Sequence, residues 1–381
     1  MLRLFIFIIC FSFSSPLWAV FKSYTGEEDV WTGNSSVFHQ KLKTGQLTEE
    51  AVEYGINHLP IFTSSTLKAK ELALDSEGAA FTEQLFCLTA IKDSDERDYI
   101  LKVHEHDIPL EKLNRVKNSP LAQLDLDNET LSLMLPRIAF DVWSGHYEDE
   151  VGGKHYFSLF KKAPGISFEQ LLDEKFFTDP AASSPEKLSP YFESWGKTLG
   201  SLHYHFIDPE TLNGLFQDIK TFAIHKDLQN ENFFYDEKTN TFILIDYEDF
   251  AESLEEPKPL QAEFTLSLPA NSFFQALIFE KFAPFLPATA AFIRGYSSVW
   301  PDCSRAKNYI LFCLNNFIEQ SLKESANPTP NENDDSFSEE DELGPMSKFF
   351  DRAIYDVQFS NLKELLKIDK SEGPSSSGSL E

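Results

Sequence analysis

Ile224-His225-Lys226-Asp227-Leu228-Gln229-Asn230-Glu231-Asn232, and beyond a short hairpin Ile243-Leu244-Ile245-Asp246-Tyr247-Glu248-Asp249, set the reading of this chain. The form is H-x-D-x-x-x-x-N followed by Ile-Asp, with Asp246 fourteen residues after Asn232. Phosphoryl transfer gives a reason for such a set. One carboxylate must orient an attacking hydroxyl and accept its proton, while an amide oxygen and a second carboxylate hold magnesium on nucleotide phosphates. A loop followed by a tight hairpin brings Asp227, Asn232 and Asp246 to one end of a sheet. Taken singly, Asp227 and Asn232 are also ordinary turn residues, because both side chains satisfy local backbone donors. His225 and Asp246 in register with them favour the chemical reading.

Upstream of the motif, residues 190–205 read as a helix with Phe192, Trp195, Leu199 and Leu202 on one face, ending in Leu199-Gly200-Ser201-Leu202-His203. His203 and His205 have H-x-H spacing, which at a helix end suits packing and capping better than a metal. Strands are expected at 233–235 and 241–245 around a turn at 236–240, with helices from 271 to 322. Alternation and turn residues predict three earlier strands at 71–74, 83–91 and 99–103, and a further one at 154–160. Helical spacing appears at 48–59, helix-compatible sequence runs over 109–135 with a break at Pro120, and Ser167 can cap a helix over 168–177.

These residues resemble the kinase-like phosphotransferases that include aminoglycoside phosphotransferases, choline and ethanolamine kinases and fructosamine kinases. Asp227-Leu228-Gln229 and Ile245-Asp246-Tyr247-Glu248 are most like the choline and ethanolamine kinase pattern, and the L-x-x-L-H ending at His203 is similar to the helix end before that catalytic loop. Tyr99-Ile100-Leu101-Lys102-Val103 resembles the strand whose lysine pairs with nucleotide phosphates. Ser76-Glu77-Gly78-Ala79-Ala80-Phe81 stands where the phosphate-covering turn belongs, although a turn needs a glycine in any case. Ala163-Pro164-Gly165 resembles the hinge between lobes, so the resemblance spans about residues 65 to 300.

The resemblance implies an α+β, two-lobed protein-kinase-like fold, with a small β-rich N-lobe at 65–160 and a larger, mainly helical C-lobe at 161–325. It implies ATP and Mg2+, with Asp227 as catalytic base, His225 as structural support bracing the loop, Asn232 and Asp246 as metal ligands, and Lys102 and Gly78 on the nucleotide. The acceptor expected is a small-molecule hydroxyl, because Asp246-Tyr247-Glu248 lacks the D-F-G form of protein kinases. A secreted or effector protein kinase and a pseudokinase binding module are the alternatives. The chain departs from the pattern at Lys226, where a small or polar residue is usual, and at Glu231, where glycine is common. Glu111 and Glu129 both qualify as the acidic partner of Lys102, and Glu248 reads equally as a second-metal or substrate contact and as a surface carboxylate.

Composition bounds the rest. The 381 residues are 42% apolar and 14% aromatic, which excludes a disordered or fibrous chain. Lys plus Arg number 33 against 61 Asp plus Glu, a net charge of −28 that repels phosphate backbones and anionic lipid, so no nucleic-acid partner is expected. Residues 1–19 have the Arg3, apolar-run and small-residue anatomy of a secretory signal peptide, which predicts an exported protein with no membrane span once it is removed. Residues 20–64 form an N-terminal extension, 326–345 an acidic disordered linker, 346–368 a C-terminal helix and 369–381 a disordered tail. Cleavage would leave Cys87, Cys303 and Cys313, of which Cys303 and Cys313 could pair; the favoured reading is that all three are small buried apolar residues.

Overall fold

The structure is a computed structural model that describes residues 19–23, 31–33, 47–57, 59–73, 82–104, 110–128, 133–148, 154–172, 185–211, 215–266, 276–326 and 352–367. The chain runs β1 (Ala19–Ser23), β2 (Trp31–Gly33), α1 (Glu49–Ile56), β3 (Thr66–Leu72), β4 (Thr82–Lys92), β5 (Asp95–His104), α2 (Leu110–Lys117), β6 (Arg137–Ile138), β7 (Asp141–Glu148) and β8 (Lys154–Lys161). It continues through β9 (Ile166–Ser167), α3 (Phe168–Leu172), α4 (Pro185–His205), β10 (Lys220–Thr221), β11 (Phe233–Asp236), β12 (Thr241–Leu244), α5 (Phe250–Glu255), β13 (Lys258–Pro259), α6 (Leu260–Leu266), α7 (Leu286–Ser298), α8 (Cys303–Ala326) and α9 (Arg352–Leu365). Two compact units result, Met1–Glu111 with Ala139–Ala163 and Lys112–Ile138 with Pro164–Glu381. No described helix is long and apolar enough to cross a membrane.

The first unit is built on an antiparallel sheet of order β2-β1-β7-β8-β5-β4-β3. Alternation decides its faces. Phe86, Leu88, Leu101, Val103, Trp143, Phe157 and Leu159 form one buried layer, which Ala51, Val52 and Ile56 of α1 and Leu59 and Phe62 beyond it complete. Thr48 caps α1 by accepting from the Ala51 N–H at 3.2 Å. The same helix closes the edge of the sheet. Glu53 accepts from the Ala69 N–H at 2.8 Å and Glu49 from the Glu71 N–H at 2.9 Å, so two unpaired donors of strand β3 are answered by carboxylates rather than by another chain.

The second unit packs helices around the sheet β6-β12-β11-β9, whose centre is the β11–β12 hairpin pairing Phe233 with Leu244 and Asp236 with Thr241. Phe192, Trp195, Leu199 and Leu202, the expected face of α4, are all fully buried. Trp195 stacks on Phe233 with centroids 4.3 Å apart and planes 8° from parallel, and so seats the hairpin on α4. Against α7 the backbones themselves touch. A Cβ on Gly196 would lie 2.1 Å from the Phe292 carbonyl oxygen, and one on Gly295 would lie 2.1 Å from that of Glu193.

Several expectations are corrected. Residues 112–138, expected in the N-lobe, cluster with the helical unit. Leu113, Val116, Leu121 and Leu124 are buried, Lys112 and Arg115 reach Glu252 and Glu255 of α5, and β6 runs parallel to β12. The first strand lies at Thr66–Leu72 and not at 71–74, because the ladder with β4 starts at Thr66 opposite Ile91, directly after the left-handed turn at Ser64. Strand β7 was not expected; a register shift between Asp141 and Trp143 breaks the alternation that would have marked it. The helical run expected from 271 to 322 is divided, since Pro284 and Pro287 allow only a 3-10 turn before α7 and Pro301 separates α7 from α8. Residues 1–18, 173–184, 327–351 and 368–381, which include most of the signal peptide, the acidic linker and the tail, lie outside the described residues.

Cys303 and Cys313 do not pair. They stand ten residues apart on one helix, about 15 Å by its rise, and all three described cysteines are free. Cys313 is fully buried and its thiol is pushed up to about 12 by burial, so it has almost no thiolate at neutral pH. In native protein at pH 8 a thiol reagent should modify the half-buried Cys87 and Cys303 and leave Cys313 until denaturant is added, as peptide mass spectrometry would record.

Candidate active site

The segment between β10 and β11 carries the motif, and three bonds define its shape. His225, 1% exposed, donates its backbone N–H to Glu263 Oε2 at 2.9 Å and its ring Nε2–H to the Ile245 carbonyl at 2.8 Å. The Ile245 N–H in turn donates to the Asn232 carbonyl at 3.0 Å. Both polar backbone groups of Ile245 are therefore held by the loop, and the next residue is Asp246. Its backbone is left-handed, φ 55° and ψ 58°, a region where aspartate is enriched and which recurs at functional turns.

Asn232 donates Nδ2–H to Asp227 Oδ2 at 2.7 Å and to the Asp227 carbonyl at 3.1 Å. The carboxylate fixes which way the amide points. With Nδ2 turned to Asp227, the side-chain acceptor that Asn232 offers is its oxygen Oδ1. An oriented amide oxygen beside a carboxylate is the donor chemistry a hard divalent cation takes. The residues fit the metal that the resemblance implies.

Behind the loop lies a second layer wholly out of solvent. Glu263 of α6 and His203 of α4 are both 0% exposed, with His203 Nε2 3.9 Å from Glu263 Oε2. His203 Nδ1 shares a hydrogen bond of 2.9 Å with the Tyr296 hydroxyl, whose pKa burial drives well above the phenol range. His203 is thus packed and hydrogen-bonded, while His205 is exposed at the helix end and meets Gln123 at 3.3 Å. No cluster of three or more His, Cys, Asp or Glu among the described residues has metal-binding geometry.

Lys226 also has positive φ, 68°, between His225 and Asp227, and its ammonium pairs with Glu252 of α5. Glu248 is half-buried in the turn Tyr247–Asp249. The structure therefore brings His225, Asp227, Asn232 and the root of Asp246 together within the helical unit. Lys102 belongs to the sheet unit, half-buried in β5 opposite Leu85 and Ser158, on the face away from the core because its neighbours Leu101 and Val103 fill that core. Gly78 and Glu129 lie outside the described residues, as does the side chain of Glu111. Sequence reading did not find Glu263 or Glu252. Each is one carboxylate in a short helix, and nothing nearby in the chain marks Glu263 as buried.

No family model matches the chain, and no curated protein matches it. Among solved structures it is similar to WaaP in complex with acyl carrier protein, at 15% identity and TM-score 0.34, over 74% of this chain and 95% of that one. It is similar to the PknI kinase domain of Mycobacterium tuberculosis at 13% identity and TM-score 0.32, over 66% and 96%. It is similar to the ROP18 kinase domain in complex with AMP-PNP and sucrose at 12% identity and TM-score 0.34, over 96% and 89%. These neighbours are kinase-like. Likeness at this level assigns no role to any residue of this chain.

Proposed function

We propose that the protein is an ATP-dependent phosphotransferase acting on a hydroxyl group, with a small molecule as the preferred acceptor. The observation that carries this reading is the Ile245 peptide held between His225 and Asn232 while the Asn232 amide rests on the Asp227 carboxylate. What supports the reading is that a carboxylate, an oriented amide and the root of a second carboxylate share one loop. Asp227 orients the acceptor hydroxyl and takes its proton; Asn232 and Asp246 are the residues that would hold magnesium. A bound magnesium supplies charge neutralisation on the phosphate oxygens. His225 supports the loop without touching substrate, and Lys102 takes the phosphate-pairing role its strand's resemblance implies. The chain's contribution is positioning and fixed charge, with no covalent enzyme intermediate.

The first experiment is thermal stabilisation of the chain by ATP with magnesium. Ligand at 100 times its Kd should stabilise the folded state by about 2.7 kcal/mol, and Asp246→Ala should abolish the magnesium-dependent part. A magnesium-dependent shift lost in the variant justifies a screen of hydroxyl acceptors. A well-folded wild-type chain with no shift would overturn the enzyme reading and favour a binding scaffold.

A further inference from the structure

We infer that Glu252 is a positioning residue for Asp227, acting through Lys226. Lys226 bears a Cβ yet stands at φ 68°, a conformation that costs about 1–2 kcal/mol and persists only where the surroundings impose it. The dihedrals of Lys226 set the direction in which the next residue, Asp227, leaves the chain. Glu263 and Ile245 hold His225, and Asn232 holds Asp227. The Lys226 ammonium is held by Glu252.

Helix α5 is well placed to provide that hold. Phe250 is fully buried and meets the His225 ring edge to face at 5.0 Å. Ser253, also fully buried, donates its hydroxyl to the Phe222 carbonyl at the entry to the loop. Glu252 lies between these two contacts and presents its carboxylate to Lys226, and also to Lys112 of α2 at 3.3 Å. One carboxylate thereby ties the turn before Asp227 to two helices. The side chains of Lys226 and Glu252 are 20% and 41% exposed, so the pair adds little to global stability and is open to screening by salt. Its catalytic consequence rests on the phosphotransferase reading; its mechanical consequence does not.

The test compares wild type, Glu252→Gln and Glu252→Asp by steady-state kinetics and by hydrogen exchange. Glu252→Gln should lower kcat about 10-fold, because a small displacement of a reacting group is costly, while KM for magnesium-ATP stays within about twofold and the melting temperature is unchanged. Amides 225–228 should exchange faster, with those of 241–245 unaffected, and Glu252→Asp should lie between. Salt at about 1 M should lower kcat in wild type and have little further effect in Glu252→Gln. Unchanged exchange over 225–228, or a raised KM with unchanged kcat, would overturn the proposal. Faster exchange in a protein whose wild type transfers no phosphate would uphold the positioning and remove the phosphotransferase reading instead. If Glu252→Gln does not fold, Lys226→Met and the salt titration of wild type read the same tie from its other end.

Discussion

Asp227→Asn should lower turnover about 1000-fold while the response to ATP and magnesium persists. Asparagine has the shape of aspartate and keeps an oxygen for the Asn232 amide, which now donates to Asp227 Oδ2 at 2.7 Å. The bond loses its charge assistance, a change of about 1 kcal/mol, and the loop keeps its remaining ties from His225 to Ile245 and from Ile245 to Asn232. What disappears is the capacity to take the acceptor's proton, a contribution of about 100- to 10,000-fold in general-base catalysis. Single-turnover assays at saturating nucleotide isolate that step from binding. The contrast with Asp246→Ala is diagnostic, since that change should remove the magnesium-dependent part of the nucleotide stabilisation as well. Turnover close to wild type in Asp227→Asn would remove Asp227 from the reaction.

Gly196→Ala and Gly295→Ala should each destabilise the protein by about 3 kcal/mol, read as a lower urea midpoint at unchanged slope. Helix propensity alone points the other way, since alanine in a helix interior is favoured over glycine by about 1 kcal/mol. Packing reverses the sign. A Cβ at 196 would stand 2.1 Å from the Phe292 oxygen and 2.8 Å from the Tyr296 nitrogen, and one at 295 would stand 2.1 Å from the Glu193 oxygen. All of these are backbone atoms, so relief requires the two helices to part along their length. The double variant should cost less than the two single ones combined, because both act on the same contact. The consequence reaches the loop: α4 carries His203 and α7 carries Tyr296, which together stand behind Glu263 and His225. Either glycine variant proving as stable as wild type would show that the two helices do not depend on this close approach.

His225, Asp227, Asn232 and Asp246 could be picked out of the sequence because their arrangement is local. A loop that closes on a hairpin of two four-residue strands, with Phe233 opposite Leu244, must bring Asn232 beside Ile245 whatever the rest of the chain does. The burial of Phe192, Trp195, Leu199 and Leu202 was legible for the same reason, since a period of 3.6 puts them on one stripe. What lies behind the motif was not legible. Glu263 is 38 residues from His225, and Glu252 is 140 from Lys112, so neither contact exists until helices from distant parts of the chain are stacked. The allocation of residues 112–138 to the helical unit was equally hidden, because their buried leucines would suit either core and the choice is made by contacts distant in sequence, the parallel pairing of β6 with β12 and the ion pairs of Lys112 and Arg115 with α5. Helix propensity alone would make the glycines of α4 and α7 a cost, and the structure makes them the places where those helices meet. Periodicity and turn chemistry operate over a few residues and so can be read along the chain, whereas close packing and buried charge are properties of the surroundings, which only the folded chain supplies.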